Sequence, residues 1–228
     1  LQTCKNMGII ALFSPVKDGP DYILMKEALE KNLITITEVD KSGHVPELKV
    51  INTSESYVLL LDGEEVMGAK QNRVLNTTIL LKGLSETVIP VSCTEQGRWR
   101  YTTDRFSHSD VIMARKARAG KAKSVMYSLN RERGYASNQG EVWNEIHELQ
   151  TDAGVSSATG AMKDIYTAKS ADLNEFVQRF ECLPGQRGSF VLINGQPAGL
   201  DLVSREEAYA NLHQKLIKSY AMDTFQRR

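Results

Sequence analysis

The chain has 228 residues, 41% of them hydrophobic and 25% charged, so it is long enough to bury a core without crosslinks. Its 28 lysine and arginine residues equal its 28 aspartate and glutamate residues, which argues against a protein that binds nucleic acid through a high overall positive charge. The three cysteines, Cys4, Cys93 and Cys182, are widely spaced and odd in number, which argues against a disulfide framework or a zinc knuckle.

This cysteine usage is typical of a reducing compartment, and we expect a cytoplasmic protein. The first apolar run, "GIIALF", ends at Ser14 and Pro15, so it is too short to span a membrane and has no clear cleavage site. Because the chain does not begin with Met, the sequence does not say whether an upstream segment was removed.

The first hundred residues predict mainly strands, because short aliphatic or β-branched runs alternate with turn residues. "GIIALF" opens the series, and "GPDYILMKEALEKN" interrupts it with an amphipathic helix of about three turns. "ITITEV" and "ELKVIN" flank "DKSGH" and predict a hairpin with Ile34, Ile36, Leu48 and Val50 facing one core. "YVLLLDG", "NTTILL" and "TVIPVSC" follow as further strands. Since no long helix separates them, we expect antiparallel pairing in a sandwich or partly closed barrel.

After about residue 105 the pattern becomes helical. "EVWNEIHEL" and "ADLNEFVQRF" each place their apolar residues on one stripe, and Asp172 with Glu175 fits a capping box that would start the second helix. A terminal helix is predicted from the pair Ser204 and Glu207, again in capping-box spacing, with apolar residues every four positions after it. Between these helices, "SFVLINGQPAGLDLV" predicts a β-hairpin that turns at Asn194-Gly195.

These elements predict an α+β protein with a single domain, residues 1–228, divided into two lobes. Residues 1–104 would form a mainly antiparallel β lobe, and residues 105–228 a mainly helical lobe with a hairpin at 189–203. No Pro/Gly/Ser linker marks the change at residue 105, so we expect lobes of one domain rather than independent domains.

The stretch "LDGEEVMGAKQNRVLN" sets four consecutive polar residues, Lys70, Gln71, Asn72 and Arg73, beyond a strand that is apolar on both faces. A half-buried strand would alternate polar and apolar residues, and this stretch does not. It is therefore either an exposed turn and edge strand with weak surface ion pairs, or the lining of a polar pocket. A further alternative is structural: these side chains would hydrogen-bond the neighbouring turns.

In the pocket interpretation each residue type has a role. Lys70 and Arg73 can hold phosphate or carboxylate groups, while Gln71 and Asn72 can orient hydroxyls or amides. Glu64 directly follows the Asp62-Gly63 turn that ends the apolar strand candidate, and it is the first candidate for a catalytic acid or base.

A second polar cluster, "PVSCTEQGRWRY", ends another predicted strand and contains Glu95, Arg98 and Trp99 around a glycine turn. A guanidinium binds anions bidentately, and an indole face can stack on a base or cover a ligand. Glu95 is the second catalytic candidate. The simpler interpretation is a loop anchored by a half-buried tryptophan. We expect Cys93 to be buried and structural, because no sequence pattern joins it to a histidine.

Residues 98–133 carry ten lysine or arginine residues against three acidic residues, a local balance of +7 that leaves −7 for the rest of the chain. Aromatic residues are interleaved with these charges. The segment therefore supports an alternative hypothesis, a non-enzymatic scaffold that binds nucleic acid or an acidic partner. The same composition also describes solvated helices.

The sequence lacks the strongest catalytic signatures. It has neither G-x-x-x-x-G-K-S/T nor G-x-S-x-G nor H-E-x-x-H, and no G-x-G-x-x-G opens a helix after a strand. Its four histidines have no metal-ligand spacing, so no metal site is predicted, and no cofactor is indicated.

Three strings, "LLLDGEEVMGAKQNRVLNTTILL", "IPVSCTEQGRW" and "QGEVW", occur in this order. Together they resemble a prokaryotic domain family of largely uncharacterised function, named for its association with ADP-ribosylglycohydrolases and rhodanese/phosphatase-type proteins. The resemblance runs from "SGHVPELKVIN" to "LHQKLIKSYAMD" and assigns no catalytic residues. The family's recurrent polar positions correspond here to Asp62, Glu64, Lys70, Gln71, Asn72, Arg73, Asn76, Glu95, Arg98, Trp99, Gln139, Glu141 and Trp143.

The resemblance implies ADP-ribose, NAD-derived or other nucleotide chemistry. We therefore expect a polar site between the lobes that binds an anionic small molecule, with Lys70, Arg73 and Arg98 on its phosphate or carboxylate groups. Trp99 would stack on the ligand or cover it. The sequence predicts neither a reaction nor an oligomeric state.

Overall fold

The computed structural model describes residues 1–16, 19–40 and 45–225. Within these ranges the chain forms thirteen β-strands and six α-helices. The strands are β1 (Gln2–Cys4), β2 (Met7–Leu12), β3 (Tyr22–Leu24), β4 (Ile34–Glu38), β5 (Glu47–Asn52), β6 (Tyr57–Leu60), β7 (Glu64–Gly68), β8 (Arg73–Leu75), β9 (Ile79–Leu81), β10 (Ser85–Cys93), β11 (Phe106–Ile112), β12 (Gly188–Ile193) and β13 (Gln196–Leu202). The helices are α1 (Met25–Glu30), α2 (Arg115–Leu129), α3 (Gln139–Ala153), α4 (Met162–Ala168), α5 (Ser170–Arg179) and α6 (Glu206–Met222).

The strands form three sheets, in the orders β11-β7-β8-β10-β5-β4, β3-β6-β9 and β1-β2-β12-β13. Their pairs are antiparallel apart from β3 with β6, and one sheet curls like half a barrel. The predicted α+β class with antiparallel sheets is confirmed. The division into two lobes stays a prediction, because β2 pairs with β12 of the later hairpin on one side and with the short β1 on the other.

Both predicted hairpins are present. In the first, Ile36 lies opposite Val50, and their side chains enter the same core. Residues 41–44 of its predicted "DKSGH" turn lie outside the described residues. In the second, Asn194 and Gly195 have φ angles of 53° and 73°, the left-handed pair that a two-residue type I′ turn requires.

Two elements differ from the sequence prediction. The first helix is only Met25–Glu30, because the β-favouring residues Tyr22–Leu24 instead extend beside β6 as a strand. Residues 106–112, within the region predicted as helical, form β11 and pair with β7. In both places pairing with a neighbouring strand overrides the local pattern.

Neither predicted capping box forms. Helix α5 begins at Ser170, so Asp172 already lies in its first turn rather than at the N-cap. Helix α6 has Arg205 at its N-cap and no side-chain cap. The Ser204 hydroxyl lies 3.1 Å from the Tyr22 hydroxyl, so its hydrogen bond leads to another element.

The core has three parts. One lies between the four-stranded sheet and helices α2 to α6, a second lies inside the six-stranded sheet with α1, and a third joins α6 to Leu61 and Ile112. Residues 69–72, of which the last three are polar, lead from β7 into β8 inside the six-stranded sheet, so they border the second core. In the described part of the chain, no helix is both long and apolar enough to span a bilayer.

Candidate functional site

The polar run after β7 is mostly buried. Gln71, Asn72 and Arg73 are all buried, and Arg73 opens β8, which lies between β7 and β10 in the sheet. Lys70 is half-buried. The interpretation as an exposed edge strand is therefore wrong for residues 71–73, because they lie inside the sheet rather than at its edge.

The two polar stretches of the sequence bind one another. Gln71 Nε2 donates to the Glu95 carbonyl at 3.0 Å, and the Asn72 amide donates to Glu95 Oε2 at 3.2 Å. The Thr94 amide donates to the Asn72 carbonyl at 3.0 Å. The contacts of the structural alternative are thus present between "KQNR" and "TEQGRW".

Arg98 holds these stretches together. Its Nη2 lies 2.6 Å from Glu95 Oε2 and donates to Asn72 Oδ1 at 3.1 Å and to the Gly68 carbonyl at 3.3 Å. Its Nη1 donates to the Ala69 carbonyl at 2.8 Å. We call this group, residues Gly68, Ala69, Asn72, Glu95 and Arg98, the Arg98 latch. Because its guanidinium is buried and committed to the chain's own oxygens, Arg98 has no terminal nitrogen left for a ligand.

The latch depends on a glycine. Gly68 has φ = 125°, and a Cβ there would lie 2.5 Å from Thr103 Oγ1 and 2.9 Å from the Arg105 carbonyl. Only glycine combines that backbone conformation with so close an approach. The turn brings the carbonyls of Gly68 and Ala69 to Arg98.

The Glu95 carboxylate is fully engaged within the latch. Its Oε2 binds Arg98, and its Oε1 accepts a hydrogen bond from Thr159 at 3.0 Å. Burial alone would raise its pKa, but the hydrogen bonds from Arg98 and Thr159 and the Arg98 charge lower the pKa below its ordinary value. Glu95 therefore stays ionised near neutral pH and is poorly suited to act as a general acid.

Arg73 is completely buried and incompletely paired. Its Nη1 donates to Gln71 Oε1 at 2.9 Å. Among the described residues, its Nε and Nη2 have no hydrogen-bond partner of ordinary geometry, and neither has either carboxylate oxygen of Glu38. Arg73 Nη2 and Glu38 Oε1 are 3.9 Å apart. Burial lowers the Arg73 pKa, against the opposing effects of Cys93 and Glu38. We call Glu38, Gln71, Arg73, Cys93 and Trp99 the Arg73 cluster.

Aromatic rings cover the outer side of this cluster. The Trp99 ring centroid is 6.0 Å from Arg73 Cζ and 5.0 Å from Lys70 Nζ, which is also 5.2 Å from the Tyr101 ring. Trp99 keeps 51% of its surface exposed although Arg73 has none. Lys70 thus lies between two aromatic rings at the surface, and Arg73 is buried behind Trp99; rings and cations of this kind can stack a planar anionic group.

A cavity of about 450 Å³ opens beside these rings. It is lined by Thr37, Glu38, Val39, Asp40, Tyr101 and Asp104. Its three carboxylates make it acidic, so phosphate is disfavoured there, while hydroxyl groups can donate to the carboxylates. The cavity is lined in part by Glu38, a member of the Arg73 cluster.

The two catalytic candidates are separated. Glu64 lies away from the Arg73 cluster, because Lys215 of α6 donates to its Oε1 at 2.9 Å and the Leu61 amide donates to its Oε2 at 3.0 Å. Its neighbour Glu65 alternates to the other face of β7 and accepts from Thr94 Oγ1 at 2.6 Å. The structure thus brings Lys70, Gln71, Asn72, Arg73, Glu95, Arg98 and Trp99 together and leaves Glu64 out.

Glu65, which is not among the residues predicted from the sequence, is a buried carboxyl group with a raised pKa. Its Oε2 has no hydrogen-bond partner of ordinary geometry in the part of the chain that the structure describes. Burial raises its pKa to about 7, although hydrogen bonds from Thr94 and Ser109 act in the opposite direction. Alternation along β7 separates Glu64 from Glu65, but no sequence signal identifies Thr94 as the partner of Glu65.

Two further polar residues of the family pattern, Gln139 and Asn76, hydrogen-bond to residues near the end of β10. Gln139 at the start of α3 accepts from the Cys93 amide at 2.7 Å and donates to the Cys93 carbonyl at 2.9 Å, which ties α3 to the end of β10. Asn76 accepts from Ser92 Oγ at 2.6 Å. The Cys93 thiol is buried and burial raises its pKa, in agreement with the structural role expected for it.

The basic segment 98–133 uses part of its charge internally. Arg98 belongs to the latch, Arg118 forms a bidentate pair with Asp201 at 3.0 and 2.7 Å, and buried Lys121 pairs with Asp62. These three charges are therefore withheld from any external partner. Within the described ranges, no group of three His, Cys, Asp or Glu side chains is placed to hold a metal ion.

Comparison with known proteins identifies a family. The model of the ARPP-1 domain, the "ARG and Rhodanese-Phosphatase-superfamily-associated Protein domain", matches residues 1–228. No curated protein and no solved structure matches the chain significantly. The match therefore supplies a family but neither a ligand nor a reaction.

Proposed function

The chain belongs to the ARPP-1 domain family, and from that premise we propose that it binds an anionic small molecule of nucleotide type, such as ADP-ribose or an NAD-derived compound, over the Arg73 cluster. One observation carries the proposal: the Arg73 guanidinium is completely buried, yet among the described residues its Nε and Nη2 have no hydrogen-bond partner of ordinary geometry, and Glu38 Oε1 is 3.9 Å from Nη2. Leaving a buried donor unpaired costs about 1–3 kcal/mol, so a bound anion that accepts from these nitrogens recovers that energy.

The ligand's phosphate groups would meet Lys70 and Arg73. Lys70 already lies at the surface between the Trp99 and Tyr101 rings, whereas Arg73 lies behind Trp99. Trp99 belongs to no strand or helix and is half-exposed, so a change in its side-chain torsions would uncover Arg73 without breaking the sheet. A guanidinium beside an ammonium group then provides bidentate and point-charge contacts to phosphate oxygens.

We also propose contacts for the base and the ribose of a nucleotide. The faces of Trp99 and Tyr101 suit a base, and the carboxylates of Asp40 and Asp104 at the adjacent cavity suit the hydroxyls of a ribose, whereas the carboxylate oxygens of Glu38 are buried. The cavity volume of about 450 Å³ lies within the range of small-molecule sites. All residues of the cluster and of the cavity lie within residues 1–104, so the proposed site belongs to the predicted β lobe rather than to its boundary with the helical lobe.

The proposal changes the roles expected for two residues. Arg98 and Glu95 position the loop that carries Trp99 and do not contact the ligand, because their polar atoms already bind one another and the backbone. No reaction is proposed, and Glu64 has no role in binding because Lys215 and the Leu61 amide occupy its carboxylate.

Calorimetry with ADP-ribose, NAD, ADP and AMP tests the proposal. We expect at least one of them to bind wild-type protein, and Arg73→Met to weaken that binding by tenfold or more, about 1.4 kcal/mol. Arg133→Met is the matched control, since it removes an exposed arginine outside the site and should leave affinity unchanged. Circular dichroism confirms that each variant is folded. Absence of binding by all four ligands at millimolar concentration contradicts the proposal.

The alternative of a nucleic-acid or acidic-partner scaffold predicts a different salt dependence. Binding of a short RNA through segment 98–133 should weaken steeply between about 50 and 200 mM salt, because counterions are released from phosphates. The internal pairing of Arg98, Arg118 and Lys121 reduces the charge available for this role. Strong RNA binding that Arg133→Met weakens, with no effect of Arg73→Met, would favour the scaffold.

A further inference from the structure

The six-stranded sheet carries two charged residues at positions that face its core. Glu38 ends β4 in the same alternation as Ile34 and Ile36, and Arg73 opens β8 two residues before Leu75. These three aliphatic residues belong to the second core. Alternation along a strand therefore places the Glu38 and Arg73 side chains on the inner face of the curled sheet, at strand ends. The mouth of a barrel-like sheet is a common place for a small-molecule site.

Four polar atoms of these two side chains have no hydrogen-bond partner among the described residues. They are the donors Arg73 Nε and Nη2 and the acceptors Glu38 Oε1 and Oε2. Arg73 Nη2 and Glu38 Oε1 are 3.9 Å apart, beyond the usual hydrogen-bonding range of about 2.7–3.2 Å. The Arg73 side chain has no exposed surface, and that of Glu38 is 4% exposed. Native proteins rarely leave so many buried polar atoms unsatisfied, and a ligand that bridges the two side chains would satisfy them.

The four atoms form an ordered set, two donors followed by two acceptors. In a guanidinium group the Nε and Nη2 hydrogens point to the same side and form one fork, and Nη1 of Arg73 already donates to Gln71. Nη2 is the nitrogen next to the Glu38 carboxylate. A ligand that satisfies the whole set must therefore present two acceptors and then two donors along one planar edge.

We infer that the site binds a guanine base, and that Glu38 and Arg73 determine this specificity. The edge of guanine presents N7 and O6 as acceptors, followed by N1–H and the N2 amino group as donors. The Arg73 fork would donate to N7 and O6, and Glu38 would accept from N1–H and the amino group. Adenine carries an amino group where guanine has O6, so it would oppose a donor to Arg73 Nη2.

The inference rests on the nucleotide site proposed above and changes one contact in it. An ionised phosphate only accepts hydrogen bonds, so a phosphate on Arg73 would leave Glu38 unpaired and bring a second negative charge beside it. The guanine edge satisfies both side chains. The phosphates of the nucleotide then contact Lys70, which lies beside the exposed rings of Trp99 and Tyr101.

Trp99 is placed to cover such a base. Its ring centroid is 6.0 Å from Arg73 Cζ. A base that is hydrogen-bonded to the guanidinium lies in the guanidinium plane, so one indole face can cover both groups. Glu38 also lines the cavity of about 450 Å³, which gives the base a route to the carboxylate.

Calorimetry with GMP, IMP and AMP tests the specificity. We expect GMP to bind at least about 30-fold tighter than AMP, because AMP lacks both the O6 acceptor and the N2 donor. IMP lacks only the N2 amino group and should bind about tenfold more weakly than GMP. These comparisons use the wild-type chain, so they do not depend on the folding of a variant.

Two variants test the individual contacts. Glu38→Gln should weaken GMP binding at least about 30-fold and leave AMP binding within about threefold, because the glutamine amino group opposes a donor of guanine. Arg73→Met should weaken GMP binding as strongly but leave the binding of pyrophosphate unchanged. The exposed Glu55→Gln variant is the matched control and should bind GMP like the wild type. Circular dichroism confirms that each variant is folded.

Three outcomes overturn the inference and leave the proposed nucleotide site intact. The first is AMP binding as tight as GMP binding, which removes the base specificity. The second is an equal loss of GMP and pyrophosphate binding in Arg73→Met, which assigns Arg73 to a phosphate. The third is a Glu38→Gln variant that melts at a lower temperature but binds GMP like the wild type, which makes Glu38 structural.

The same titrations separate the inference from the proposed function. If neither GMP nor any adenine compound binds at millimolar concentration, both fail. If GMP binds and ADP-ribose, NAD, ADP and AMP do not, the inference holds and only the adenine ligands of the proposed function are excluded.

Discussion

Two buried arginines, Arg98 and Arg73, lie in the paired polar stretches and differ in how their charge is accommodated. In the Arg98 latch both terminal nitrogens bind oxygens of the chain, including a carboxylate at 2.6 Å. In the Arg73 cluster one terminal nitrogen is bound, and the nearest carboxylate is 3.9 Å away. Both side chains are buried, so they do not differ in solvent exposure. They differ in how many of their guanidinium nitrogens have a hydrogen-bond partner.

This difference has an energetic basis. A buried charge costs several kcal/mol of lost hydration, which is recovered only when geometry is good and the remaining donors are satisfied. Arg98 meets that condition within the chain and therefore acts as a structural residue. Arg73 does not, and an external anion would complete its coordination.

The largest expected effect is that of Arg98→Met. It leaves the Glu95 carboxylate buried beside an apolar side chain, so we expect the free energy of unfolding to fall by about 3–5 kcal/mol in urea denaturation. A loss below about 1 kcal/mol would show that the latch is not a stabilising unit. Glu95→Gln in the Arg98→Met background should recover part of the loss, because it removes the unpaired charge.

Glu65→Gln extends the comparison to a buried carboxylate, because Glu65 also has an oxygen without a hydrogen-bond partner among the described residues. Between the ordinary value of 4.5 and the folded-state pKa of about 7, the folded chain holds a proton at Glu65 that the unfolded chain releases. Stability should therefore fall as pH rises through this window, by about 3 kcal/mol in total.

The measurement is urea unfolding of wild type and Glu65→Gln at pH values from about 4.5 to 8. The glutamine variant should lose less stability as the pH rises. Asp223, with a pKa raised by burial to about 6, contributes equally to both proteins and cancels in the difference. The exposed Glu55→Gln variant is the control. Parallel curves for wild type and Glu65→Gln would refute a raised Glu65 pKa.

Arg73→Met should cost less stability than Arg98→Met, by about 2 kcal/mol. It removes only one good hydrogen bond, from Nη1 to Gln71, and relieves the burial of a poorly paired cation. The comparison is made by urea denaturation under identical conditions. Equal losses for the two variants would mean that Arg73 is as structural as Arg98.

The smallest expected effect on stability is that of Trp99→Ala. The ring is half-exposed and belongs to a loop, so we expect a change within about 0.5 kcal/mol. Its effect should instead appear in calorimetry as weaker nucleotide binding. A large loss of stability with unchanged binding would mean that Trp99 anchors its loop and does not contact the ligand.

Much of the secondary structure follows from local pattern. The alternation of Ile34 and Ile36 against Leu48 and Val50 predicts the first hairpin, and the stripe from Val142 to Leu149 predicts α3. Errors occur where a distant strand competes with local preference, as at Tyr22–Leu24, which pairs with β6. The capping boxes fail because the helices begin at other residues.

The sequence predicts which residue types form the candidate site, but not which of them are buried or which partners they bind. Both polar stretches were identified, and their mutual contact joins residues more than twenty positions apart in the chain. Burial of Arg73 could not be predicted, because it depends on β8 lying between β7 and β10. For the same reason, the choice between Glu64 and Glu65 requires the positions of Lys215 and Thr94.

The pairing of β2 with β12 constrains the order of folding. Residues 7–12 have no partner in the four-stranded sheet except the short β1 until residues 188–193 have been synthesised. Contacts of such long sequence separation form late, since closing the intervening loop costs entropy before any contact is gained. Both apolar faces of β2 would therefore be exposed on the nascent chain. This strand is the segment we expect a chaperone to cover during synthesis.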